Sequence, residues 1–276
     1  MSVDVEDYFH VAALAKVIAA AQWDCIPPRV EANTLRLLDL FEEAEVTATF
    51  FVLGWVGERF PRLVTEIHRR GHEVSSHGFS HRLIYEQTQR EFKRETVRSK
   101  SLLEDLIGAP VLGYRAASYS ITSRSLWALD MIAEAGFRYD SSIVPARHDL
   151  YGVPDAKRLP HRLVTQDGFD LVEFPPTVYS VAGFQFPVGG GGYFRLYPYP
   201  LTRFFLNRVN KRLKSPFIFY LHPWEIDPGQ PRVEAGFRSQ FRHYLNLEKT
   251  ESRVRRLLGD FRFTTVRSVL QGLQLL

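Results

Sequence analysis

The chain is expected to fold as an α/β protein with a largely parallel sheet, and three observations point there. Short β-branched and aromatic runs alternate with segments whose apolar residues recur at helical spacing. Each strand–helix unit is long enough to need a crossover connection rather than a hairpin, which implies parallel pairing. The strands also close on polar or charged residues, at the end where parallel α/β barrels build their sites. At 276 residues and 45% hydrophobic content, the chain can bury a large core as one barrel or as two smaller domains. No linker or internal repeat divides it, so a single domain over 1–276 is expected.

The elements follow in order. Ser2–Val5 reads as a short apolar strand running into acids, and Glu31–Ala44 as a helix with Leu35, Leu38 and Leu40 or Phe41 on one face. Thr47–Leu53 has the composition of a buried strand. Pro61 opens a helix that Arg70-Gly71 closes, and His72–Ser76 is the third strand. A polar helix covers Thr88–Ile107 and stops at Gly108 and Pro110. Val111–Tyr114 is a strand, Ser123–Ala135 a helix ended by Gly136, and Arg138–Ser142 a further strand. From Pro145 to Tyr199 the chain is rich in Pro and Gly and reads as long loops with one or two strands. Pro216–Leu221 resumes a buried strand, Glu248–Leu258 is a helix, and Phe261–Val266 a last strand before a terminal helix.

Composition excludes several classes of function. Charged residues at 24% and aromatics at 13% are those of a folded domain. The formal charge of +4 is spread along the chain, with local clusters such as Arg253-Val254-Arg255-Arg256. That describes a solvated basic face better than a nucleic-acid groove, and is compatible with an anionic polymer or a membrane surface. Cys25 is the only cysteine, so the cytoplasm is favoured and the periplasm allowed. No apolar run reaches the ~20 residues that span a bilayer. No leader precedes the first strand, which leaves room for a start upstream.

The most informative stretch is Ser76-His77-Gly78-Phe79-Ser80-His81, directly after an apolar strand. A strand breaking into a helical turn would bring His77 and His81 onto one face, within reach of one metal ion. Asp4-Val5-Glu6-Asp7 places three acids in four residues at another strand end. They repel one another unless a cation or an arginine neutralises them. Two imidazoles and one carboxylate leave coordination positions open, the pattern of a catalytic site on zinc or a similar divalent ion. His222, in Phe219-Tyr220-Leu221-His222-Pro223-Trp224, reads equally as a satisfied core histidine and as a titrating general acid. Asp4, His77, Arg115, Asp140 and His222 all fall at or just after separate strand ends.

The ordered set Ser2–Asp7, Ser76–His81, Gly113-Tyr114-Arg115-Ala116-Ala117-Ser118-Tyr119-Ser120, Tyr139-Asp140-Ser141-Ser142 and Leu221-His222-Pro223-Trp224-Glu225 resembles the NodB-type polysaccharide deacetylases, carbohydrate esterase family 4. The run Ala48-Thr49-Phe50-Phe51-Val52-Leu53-Gly54 adds to the likeness. The branch most similar is that of exosortase-associated exopolysaccharide loci, including a C-terminal extension from about Gly189. The resemblance implies a distorted (β/α) barrel and a metal-dependent hydrolase that removes N-acetyl groups from a polysaccharide, oligosaccharide or lipid-linked precursor. It implies Asp4 as general base, oriented by Arg115, and His222 as general acid, oriented by Asp140. His77 and His81 would be metal ligands. The family's adjacent Asp-Asp pair is spread here into Asp-Val-Glu-Asp, so Asp7 or Glu6 completes the metal triad. Asp7 is preferred as the shorter side chain just past the strand. Ala117 replaces a proline usual in the family, leaving open which backbone N–H meets the oxyanion.

Two competing functions remain: hydrolysis of another non-peptide C–N bond on a related barrel, and carbohydrate binding without catalysis. The second would need neither a base nor an acid, so Asp4 with His222 counts against it. Tyr151, Phe184, Phe186, Tyr193, Phe194, Tyr197 and Tyr199 could stack on sugar rings, with core packing expected for most. Gly189–Gly192 lacks the Lys-Ser/Thr and the helix start of a phosphate loop, so nucleotide binding is not expected.

Overall fold

The structure is a computed structural model and describes residues 1–148, 151–181 and 183–276. Residues 149, 150 and 182, within the loop-rich stretch expected over 145–199, lie outside the described residues. The chain runs through β1 (Ser2–Val5), α1 (Val30–Glu43), β2 (Thr49–Val52), α2 (Gly54–Arg59), α3 (Pro61–Arg69), β3 (Glu73–Ser76), α4 (Gln89–Ile107), β4 (Gly113–Tyr114), α5 (Ala128–Glu134) and β5 (Tyr139–Asp140). It continues through β6 (His161–Val164), β7 (Asp170–Glu173), β8 (Val178–Val181), β9 (Phe184–Pro187), α6 (Gly191–Leu196), α7 (Tyr199–Arg212), β10 (Tyr220–Leu221), α8 (Phe237–Tyr244), α9 (Leu247–Asp260) and α10 (Val266–Gly272).

Eight strands form one sheet in the order β10-β1-β2-β3-β4-β5-β7-β6, parallel except for β6 at the edge. The curled sheet is the expected distorted (β/α) barrel. Its gap is stitched beside β10, where Thr177 Oγ1 donates to the Ile218 carbonyl at 2.7 Å and Tyr220 N–H donates to the Gly189 carbonyl at 2.7 Å. β8 and β9 form a separate antiparallel hairpin.

Strand alternation divides the residues into two layers. Val3 and Val5 face the helices and join Leu37, Phe41 and Phe50 in the main core. Ser2 and Asp4 face the barrel interior, as do Phe51 and Tyr139. The lower interior is filled by Phe51, Tyr139, Val172, Phe174 and Ile218, and α10 covers it with Val266 and Leu270. Both faces of β2 are therefore buried, as parallel sheets require.

Most elements in the first half lie within a few residues of where the sequence puts them. Thr88 and Glu91 form the capping box of α4, and Gly108 ends it in the left-handed conformation. The second half differs. The expected loop region carries four strands and α6, and α7 and α8, like α2 in the first half, have no counterpart in the sequence reading. The helix expected from Ser123 begins only at Ala128. Of the strand expected over Phe261–Val266, residues 261–265 are irregular chain and Val266 opens α10. Its backbone is satisfied singly instead: the N-terminal ammonium of Met1 donates to Thr264 O at 3.0 Å, and Val266 N–H donates to Thr49 Oγ1 at 2.7 Å. Gly189–Gly192 does open a helix, contrary to expectation, but α6 is six residues long and is packed against Tyr220.

Candidate active site

Five of the predicted residues converge at the C-terminal mouth of the barrel. Asp4, Glu6, His77, His81 and His222 line one cavity of about 430 Å³, with Tyr119 among its other walls. Asp4, His77, Arg115, Tyr220 and His222 all have the interior parity of their strands, and Glu6 continues that of β1.

His77 extends β3, donating its N–H to Val52 O at 2.9 Å, and its Nδ1 is fixed by Arg115 O at 2.9 Å. That leaves Nε2 to face the cavity. His81 arrives by a different route from the expected helical turn. Residues 77–83 are irregular, and the chain reverses through Gly78 (φ 74°) and His81 (φ 53°), which brings the two imidazoles to 5.4 Å between centroids. His81, Ser118 and Tyr119 (φ 50° and 55° for the last two) hold left-handed backbone conformations, and all three line the cavity. Strain of this kind persists where a site over-determines the chain.

Glu6 Oε2 lies 2.5 Å from His81 Nε2 and 4.0 Å from His77 Nε2, and one ligand atom from each of the three residues falls within 4.8 Å of the others. Glu6 Oε2 is buried and has no hydrogen-bond partner. Burial works to raise the Glu6 pKa, yet His81 and His222 beside it hold the carboxyl below the usual range. Burial pushes His77 down to about 4, so it presents a neutral, ligand-ready imidazole. A buried carboxylate oxygen without a hydrogen bond, beside two imidazole nitrogens, is a donor set that fits a divalent cation.

Asp7 is not part of this cluster. Both its oxygens are occupied by backbone N–H groups: Oδ1 accepts from Tyr8 at 2.8 Å, and Oδ2 from Arg29 at 2.6 Å and Val30 at 2.8 Å. It joins the end of β1 to the start of α1. The reason is parity, since positions 2, 4 and 6 point inward and 7 points away.

Asp4 Oδ1 accepts from Arg115 Nη1 at 2.6 Å. Arg115 is fully buried, held by Ser2 Oγ at 3.0 Å and Ser141 Oγ at 3.0 Å, with its guanidinium 4.0 Å above the Phe51 ring. Burial alone would lower its pKa, but Asp4 more than offsets this and raises it. His222 Nε2 lies 3.9 Å from Asp4 Oδ2 and 3.5 Å from Glu6 Oε1. Asp140 does not orient it. Asp140 sits across the sheet, accepts from Ser142 N–H and Oγ at 2.9 and 2.6 Å, and bonds to Glu173. It shares the outward parity of Tyr114, its register partner.

Glu225 takes the position expected of Asp140. Its Oε2 is 3.1 Å from His222 Nδ1 and accepts the His222 N–H at 3.0 Å, while Oε1 accepts from buried Arg195 at 2.7 Å. Burial would lower the His222 pKa, but the bond to Glu225 and the charge of Glu6 push it up to about 9. Glu225 itself is pulled down to about 2: burial opposes this, and the charge of Arg195 prevails. The sequence held the signal. His222-Pro-Trp-Glu225 is a capping box, which returns the fourth side chain to the first residue. Nothing local marked Arg195. The Tyr119 N–H is committed to Ala116 O at 3.0 Å. Among the seven aromatics noted above, Tyr151 and Tyr193 line the cavity, Phe194 and Tyr199 are core, and Phe184 and Phe186 are exposed.

Known proteins share this frame. Residues 14–139 match the family model described as polysaccharide deacetylase, and residues 141–271 match a domain of unknown function, DUF3473. A peptidoglycan deacetylase of Helicobacter pylori is 31% identical over 114 residues, 41% of this chain and 38% of that protein. A peptidoglycan-N-acetylglucosamine deacetylase of Bacillus cereus is 32% identical over 75 residues, 27% of each chain. These matches support the polysaccharide deacetylase family. They cover well under two thirds of those relatives' lengths. Among solved structures, a putative polysaccharide deacetylase from Mycobacterium smegmatis superposes with TM-score 0.62 at 17% identity, over 99% of this chain and 90% of its own. Puue allantoinase does so with TM-score 0.61 at 13% identity, over 98% and 87%. At those identities the likeness is one of fold. The boundary between the two matched regions falls inside β5, yet strands from both sides pair in the one deacetylase-like sheet.

Proposed function

We propose that the chain is a metal-dependent hydrolase releasing acetate from N-acetylated sugars of a polysaccharide or its precursor, in exopolysaccharide synthesis or modification. The observation that carries this reading is the meeting, in one cavity, of an arginine-held aspartate, a Glu-His-His donor set and a histidine backed by a buried Glu–Arg pair. The sugar-binding walls come from residues after 189 as well as before, so the whole of 1–276 is treated as one working domain.

Glu6, His77 and His81 would hold a divalent ion, zinc in the first instance, which supplies Lewis-acid polarisation of the amide carbonyl and lowers the pKa of water. The remaining chemistry belongs to the chain. Asp4 accepts the proton of the attacking water at Oδ2, the oxygen not held by Arg115, and Arg115 fixes the orientation of the carboxylate. His222 directs Nδ1 at Glu225 and so presents Nε2 to the cavity. From there it protonates the nitrogen as the C–N bond breaks, leaving a free amino sugar and acetate.

Purified, metal-loaded protein incubated with a panel of N-acetylated glycans tests the reading by acetate release. Acetate from at least one glycan, lost in Asp4→Asn and His222→Ala, is expected. Metal bound with no acetate from any glycan would transfer the assignment to another C–N bond, and absence of metal would favour a binding protein.

A further inference from the structure

Between Glu173 and Glu225 the chain contains no Asp or Glu, while Arg195, Arg203, Arg208, Lys211, Arg212 and Lys214 all fall within it. Arg195 is buried against Glu225, and Arg203 pairs with Asp260 at 3.0 Å. Arg208, Lys211, Arg212 and Lys214 are exposed and form no ion pair among the described residues. These four cations fall within seven residues, with the Arg208 guanidinium 4.9 Å over the Phe204 ring, and such a basic patch attracts an external anion.

The same surface is apolar. On α7, Tyr199, Thr202, Leu206 and Val209 are buried, and the opposite stripe runs Leu201, Phe204, Arg208, Lys211, apolar at its start and basic at its end. Phe205 lies between this stripe and the β8–β9 hairpin, 5.3 Å from Tyr179 and 6.4 Å from Phe186 between ring centroids. The hairpin carries Phe184 at 71% exposure, and α7 carries Phe204 at 47%. Leu196, exposed at the end of α6 and three residues before α7, lines the active-site cavity.

We propose that α7 and the β8–β9 hairpin form a docking face for an anionic lipid bilayer. Phenylalanine and leucine side chains enter the interfacial region, and the lysines and arginines meet acidic headgroups. Exposed Leu201, Val181 and Leu213 favour lipid over nucleic acid, which would call for stackable rings and cations alone. Self-association is disfavoured, because a two-fold contact would press the same uncompensated cations together. No helix of the described residues is long and apolar enough to cross a membrane. The inference stands independently of the deacetylase reading.

Sedimentation of the full chain with vesicles tests it without any substrate. Binding is expected to phosphatidylcholine vesicles containing phosphatidylglycerol, to weaken as salt rises, and to be absent with phosphatidylcholine alone. Lys211→Glu with Arg212→Glu, and separately Phe184→Ser with Phe204→Ser, should each weaken binding by roughly tenfold or more. These exposed positions should leave the melting temperature unchanged. Equal binding to neutral vesicles, no binding to acidic ones, or full retention in both variants would overturn the proposal. So would tighter binding to a single-stranded oligonucleotide than to the vesicles, or a change in the oligomeric state of the lipid-free variants.

Discussion

At the scale of single residues, parity decides which acids reach the cavity. Asp4 and Glu6 share the inward face of β1, whereas Asp7 turns away and ties down three backbone N–H groups. Asp7→Ala is therefore expected to act on stability: unsatisfied buried donors should cost about 2–4 kcal/mol, read as a lower denaturant midpoint. His222→Ala should instead show its main effect in kcat, lowered by roughly 10²–10⁴-fold as removal of a general acid does, with some loss of stability from the unpaired Glu225. Finding those two effects exchanged would contradict both roles. The same alternation was available in the sequence. Applied strictly from Ser2, it selects Glu6 over Asp7, and it sets Asp140 on the outward face with Tyr114. Reasoning from side-chain length alone missed this.

At the scale of elements, β10 depends on a glycine. Gly190 has φ 125°, and a Cβ there would lie 1.9 Å from Tyr220 O, so an added methyl must push β10 away from the chain that closes the barrel. Gly190→Ala should cost more than about 2 kcal/mol from backbone strain and lost pairing together. Because Tyr220 lies on that strand and His222 directly follows it, catalysis should fall with stability. A variant as stable as the parent would show that the closure is unimportant. The first-half elements were legible because caps and periodicity agree there: Thr88, Glu91 and Gly108 frame α4 without help from distant contacts. The second half was not. β6, β8 and β9 are short, half-exposed strands whose partners define them, and Pro and Gly there mark tight turns rather than absence of structure.

At the scale of the molecule, buried histidines set the response to acid. His72, whose Nδ1 accepts the Ala48 N–H at 3.1 Å, is pushed down to about 4, mainly by burial, and His243 to about 3 by burial and then Arg195. Both are neutral when folded, while unfolded histidine titrates near ~6.5. Between those values the unfolded chain binds more protons, so the contribution of these two histidines is full above pH ~6.5 and falls as the solution is acidified toward pH ~4. Thermal melts across that window should show a steady loss, shallower in His72→Gln. A flat profile would contradict the neutral assignment. The barrel itself was readable because parallel strands buried on both faces leave a strong apolar signature. The partners of His222 were less so: Glu225 lay in a recognisable capping box, whereas Arg195 reaches it only through the fold.

The proposed chemistry requires Glu6, His77 and His81 to hold one divalent ion. Metal content by mass spectrometry, measured on the parent, Glu6→Gln and Asp7→Asn after identical loading and dialysis, addresses this most directly. One ion per chain in the parent and Asp7→Asn, with little in Glu6→Gln, is the predicted result. An ion kept by Glu6→Gln and lost by Asp7→Asn would contradict it.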